Sequence, residues 1–181
     1  DDDLTFMKRR PKGSRPVKVE MSNDDWRELI ETTDKWFDEG ISISALRIGV
    51  LPPIGKDFLD NTAMYTAYIF NGQVLPQSSD LDWSIEIGED AHLILQLLQR
   101  GHRNRVWDKF VFHQKEYADG GCNTYRTSKI INDCHHQLIY KHPDYVKHNG
   151  TKKTFNGEET IKLKIKWKQA YLDSQIGKLS V

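Results

Sequence analysis

The chain of 181 residues carries 26 Lys and Arg against 26 Asp and Glu, with 38% hydrophobic residues, five Trp, seven Tyr and seven Phe. That length suits one core of ordinary size, and the aromatic content is enough to build it, so wholesale disorder is not expected. No apolar run approaches the roughly 18 residues that a bilayer span needs, and the start Asp1-Asp2-Asp3-Leu4 lacks the layout of a signal peptide. An intracellular protein, cytoplasmic or nuclear and without a membrane-spanning segment, is the expectation.

Zero net charge hides a segregation along the chain. Residues 1–19 hold six basic and three acidic groups, residues 20–95 four basic and fifteen acidic, and residues 96–181 sixteen basic and eight acidic. If the blocks occupy different faces, the positive one can meet a polyanion or the negative face of another copy.

In chain order, residues 1–20, with Lys8-Arg9-Arg10-Pro11-Lys12, read as a flexible basic arm, leaving 21–181 as a single α+β domain. Ser22 is placed as the N-cap of an amphipathic helix that runs through Trp26, Leu29, Ile30, Thr33 and Phe37 to Gly40. Residues 41–50 alternate as a strand whose phase changes near Ala45, and Pro52-Pro53 ends it. Phe58, Thr62, Tyr65 and Ile69 predict a helix over 58–70 with Asn71-Gly72 as its stop. Trp83, Ile85 and Ile87 predict a short strand, and Ala91, Ile94, Leu95 and Leu98 a helix closed by Gly101.

Residues 106–112 are β-prone, and Gly120-Gly121 marks a break. Thr127, Ile131, Cys134 and Leu138 follow helical spacing until Pro143. Ile161, Leu163, Ile165 and Trp167 then alternate with Lys162, Lys164, Lys166 and Lys168 as a strand with one apolar face and one ladder of lysines. That half-exposed strand favours a mixed or antiparallel sheet packed with about four helices, an α+β fold, over a parallel sheet covered on both faces.

No phosphate-binding glycine loop, nucleophile elbow or His-Glu-x-x-His is present. Three positive features stand out instead. They are the arm, the tract that includes Arg100, Arg103, Arg105, Trp107, Lys109, Phe110, Phe112, Arg126 and Lys129, and the lysine ladder. Cations neutralise phosphates and exposed aromatic faces stack on bases, so these residues point to a non-enzymatic, self-assembling structural protein with RNA or DNA as its partner. A viral or nucleoprotein component would have this profile, and a protein–protein adaptor is the variant in which the basic face meets acidic protein. This reading needs no cofactor.

Two alternatives involve metal. Cys122, Cys134, His142 and His148 have the chemistry of a zinc site, though not the spacing of a common finger. His113, Gly120-Gly121, Asn123 and Cys134-His135 also loosely resemble the His-Asn-His nuclease family, with Phe112 standing where that family has an acidic residue. The resemblance implies His113 as general base, Asn123 orienting it, and His135 holding a divalent ion such as magnesium.

Overall fold

The computed structural model describes residues 4–9, 19–76, 78–114, 126–153 and 157–179. The fold is α+β, with four helices, a curled mixed sheet of five strands and a second, two-stranded sheet. Its contacts divide the chain into two compact units. Among the described residues no helix is long and apolar enough to cross a membrane.

The first unit is built on β1 (Leu4–Lys8), α1 (Asn23–Asp38), β2 (Ile41–Ile48), β3 (Phe58–Asp60), β4 (Tyr68–Phe70) and β5 (Arg103–Gln114). Long β5 is the spine. It pairs in parallel with β2 along one edge, antiparallel with β3 and β1 on the other, and β4 extends the sheet beyond β2. After Leu46 has paired with Trp107, Arg47 pairs with Val111, so residues 108–110 loop out of that ladder. Helix α1 starts where the sequence places it: the Ser22 hydroxyl accepts the Asp25 N–H while the Asp25 carboxylate accepts the Ser22 N–H, two otherwise orphaned donors satisfied together. Leu29 and Trp36 from α1 bury against Ile41, Leu46, Trp107, Phe110 and Phe112.

Two expectations fail in this unit. Residues 58–70 are not a helix: their ends pair with β5 and β2, and Asn61 and Thr66 between them have positive φ, which helical backbone forbids. Helical spacing of Phe58, Thr62, Tyr65 and Ile69 was a coincidence of composition that two open strand edges overrode. The basic arm also begins as structure. Leu4–Lys8 is a strand on β5, Met7 is buried, and Lys8 is held by Asp25. Residues 10–18 of the arm lie outside the described residues.

The second unit holds α2 (Glu89–Gln99), α3 (Ser128–Lys141), β6 (Val146–Lys153), β7 (Glu159–Ile165) and α4 (Trp167–Leu179). Helix α2 ends at Gly101, whose φ of +85° is the left-handed turn that closes a helix. Pro143 stops α3 one residue past its cap, His142. Strand β6 pairs antiparallel with β7, with Asn149 and Gly150 bulged out between His148 and Thr151.

The stretch Trp83–Ile87 buries Ile85 and Ile87 but forms no strand. The Gln96 side chain takes the place of a neighbouring strand there, accepting the Asp82 N–H and donating to the Asp82 carbonyl. Strand β7 ends at Ile165, so Lys166 and Lys168 leave the ladder and flank the start of α4, a helix that the alternating pattern concealed.

Candidate nucleic-acid interface

Strand β7 is held from beneath by α3. Asn132 on that helix accepts the Ile161 N–H through Oδ1 at 2.7 Å and donates through Nδ2 to the Glu159 carbonyl at 3.4 Å. Ile161 is buried, with Leu163 and Ile165 half-buried beyond it on the same face. Period-two alternation then turns Lys162 and Lys164 to solvent.

The hairpin concentrates charge further. Between 146 and 168 stand seven lysines, Lys147, Lys152, Lys153, Lys162, Lys164, Lys166 and Lys168, against Glu158 and Glu159. All seven are exposed. Lys147 sits directly opposite Lys164 across the ladder, an arrangement of like charges that weakens a hairpin. Lys166 and Lys168 bracket the N-terminal turn of α4, whose backbone dipole is itself positive there.

Elsewhere among the described residues, Lys8, Lys109 and Lys141 each hold a carboxylate. None of the seven hairpin lysines does so among the described ion pairs, and Lys147 donates to the Pro143 carbonyl at 2.5 Å. Part of the acidic stretch of the sequence is spent on other cations. Asp25 serves Lys8, Glu28 serves Lys109, and Glu39 and Asp60 serve Arg105.

Among the described residues, the aromatics of the aromatic-basic tract form no stacking surface. Strand β5 has neighbours on both edges and is covered on both faces, so Trp107, Phe110 and Phe112 are core, and Trp107 Nε1 donates to Thr33 Oγ1 at 3.1 Å. A base cannot reach them. Arg105 is buried over the Phe58 ring at 4.2 Å, with Nε and Nη2 both donating to Asp60. Lys109 is engaged by Glu28, and Arg103 Nη1 donates to the Glu39 carbonyl. Arg100, at the end of α2, donates to the Asp80 carbonyl at 2.6 Å. Arg126 and Lys129 are exposed at the start of α3.

Cys122 and Asn123 lie outside the described residues, His113 belongs to the first unit and His135 to the second, and Cys134 is a buried free thiol. A Cβ placed on Gly49 would stand 2.1 Å from His113 Nε2, so that ring packs against the β2 terminus. His148 is exposed on β6 while His142 is buried. Among the described residues no group of three or more His, Cys, Asp or Glu side chains is arranged to hold a metal ion.

A polar cluster that sequence reasoning passed over is His92 with His142. Nδ1 of His92 lies 2.8 Å from Nε2 of His142, and Nε2 of His92 faces the Asp82 carboxylate at 3.2 Å. A carboxylate favours a proton on the nitrogen facing it, so His92 Nδ1 is the acceptor and His142 the donor. Among the described residues His142 Nδ1 is buried without a hydrogen-bond partner. Burial, then the neighbouring His92 and Lys141, hold His142 down to about 4, and burial likewise lowers His92 against the pull of Asp82. The only sequence signal was two histidines beside apolar helical positions, a pattern as common in cores as in sites.

Comparison with models of protein families, with curated proteins and with solved structures finds no match to this chain.

Proposed function

We propose that the chain is a non-enzymatic nucleic-acid-binding protein that holds the phosphates of RNA or DNA on the β6–β7 hairpin and the first turn of α4. The observation that carries this reading is the set of seven exposed lysines that hold no carboxylate among the described residues, including the directly opposed Lys147 and Lys164. Lysines placed to guard a strand edge against unwanted pairing need not oppose one another across the ladder. A polyanion, in contrast, turns their mutual repulsion into attraction by displacing counterions. Recognition is by charge, so binding is insensitive to base sequence. Self-association is a separate property, to be read from light scattering.

The test is fluorescence anisotropy with short single-stranded RNA and duplex DNA between about 50 and 200 mM salt. Each lysine engaged contributes about 0.7 to the slope of log affinity against log salt on a single strand and about 0.9 on duplex DNA. The triple variant Lys147→Ala, Lys162→Ala, Lys164→Ala is therefore expected to flatten the slope by about 2 to 3. An unchanged slope in that variant, or no binding by the natural chain at the lower salt, overturns the proposal. Cleavage of either substrate on adding magnesium or manganese would replace it with a nuclease.

A further inference from the structure

In the first unit two guanidinium groups share one carboxylate where β2 and β5 fall out of register. Asp108, in the looped-out part of β5, accepts from Nη1 of Arg47 at 2.5 Å and lies 3.5 Å from Nε of Arg9. Its other oxygen accepts the Ile54 N–H at 3.0 Å. Arg9 donates from Nη2 to the Leu51 carbonyl at 2.7 Å, but among the described residues its Nε and Nη1 have no hydrogen-bond partner, and its side chain is only 4% exposed.

Among the described residues, two fixed positive charges and one negative charge leave this cluster with a net positive charge, with Arg9 and Asp108 shielded from water and Arg47 partly exposed. Arginine does not shed its proton in proteins, so the imbalance cannot be relieved by titration. An uncompensated buried charge is costly, and a second anion removes that cost. Room for one adjoins the cluster. Arg47 lines a cavity of about 150 Å³ whose other walls include Leu51, Leu59, Met64 and Val106. The space is of the size that holds a single aromatic ring, and its lining also includes the polar Thr62 and Tyr65. One charged group among mainly apolar walls is the arrangement that orients a small amphiphile, with the polar end fixed and the body against the apolar side chains.

We propose that this cavity binds a small organic carboxylate, with its apolar body against Leu59, Met64 and Val106 and its carboxylate on Arg47. The ligand supplies the negative charge that the Arg9–Arg47–Asp108 cluster lacks. This site is independent of the lysine hairpin, which belongs to the other unit.

Thermal unfolding of the full chain at fixed ionic strength, with benzoate or its neutral isostere benzamide as the added probe, tests the proposal. Benzoate at about ten times its dissociation constant is expected to raise the midpoint by about 3 °C or more, and benzamide to leave it unchanged. Arg47→Gln removes the charge, and Ala63→Leu, on the cavity wall, fills the space while keeping every charge. Both are expected to abolish the benzoate shift. Equal shifts from benzoate and benzamide, no shift from benzoate at millimolar concentration, or a full shift retained in Ala63→Leu would overturn the proposal. Should Arg47→Gln fail to fold, the two probes on the natural chain and the Ala63→Leu variant decide it.

Discussion

Lowering the pH from about 7 to about 5 acts directly on the buried His92–His142 pair. In the folded chain His142 titrates at about 4, against 6.5 for the free side chain. Between those values the unfolded chain binds the additional proton, so the stability that His142 contributes is complete above 6.5 and is lost as the pH falls towards 4. The loss amounts to about 2 kcal/mol between pH 7 and pH 5, and about 3 kcal/mol in full. His92 is shifted in the same direction and adds to it. Asp82 does not cancel the effect in this window. Lys141, followed by Ser84, holds its carboxyl well below the usual carboxylate range, so its contribution is present above the unfolded value near 3.8 and fades only below it.

Urea unfolding followed by circular dichroism across this pH range measures the loss, and the histidine ring protons in an NMR titration report each group separately. In His142→Gln, which keeps an amide donor towards His92 but cannot titrate, the difference between pH 7 and pH 5 is expected to shrink by about 2 kcal/mol. A pH dependence identical in variant and natural chain, or a His142 ring that titrates near 6.5, would refute the assignment of acid sensitivity to this buried pair.

Arg105→Lys gives up the paired bonds to Asp60 and the stacking over Phe58, and is expected to cost about 2 kcal/mol in urea unfolding while leaving RNA anisotropy unchanged. Asn132→Ala strands the Ile161 N–H beneath the hairpin, at a cost of about 1–3 kcal/mol, and should speed hydrogen exchange at that amide specifically. Loss of RNA affinity in Asn132→Ala that returns on restoring Asn, without any change in the lysines, would tie the presentation of charge to this clamp.

Local chemistry was legible in the sequence wherever a single side chain or a covalent constraint decides the outcome. Ser22, Gly101 and Pro143 set helix ends in the sequence and set them in the structure, because capping bonds and ring geometry act within one turn. The Lys162 and Lys164 alternation likewise survives, since the faces of a strand follow from backbone pleat alone. Tertiary structure decided which surface each residue reaches. Trp107 and Arg105 looked like a binding tract until β5 gained partners on both edges, a matter of long-range pairing that no local pattern encodes.

Strand β6 reads Val-Lys-His-Asn-Gly-Thr-Lys-Lys, with no apolar alternation, and is a strand because β7 lies beside it. The opposition of Lys147 and Lys164, the meeting of His92 with His142 across 50 residues, and that of Arg9 with Asp108 were likewise beyond the sequence. Composition determined that the chain would fold and where its charges stand along the backbone. Only the folded chain decided which charges cancel and which stay uncompensated, because Coulomb interactions depend on distance in space rather than on distance along the chain.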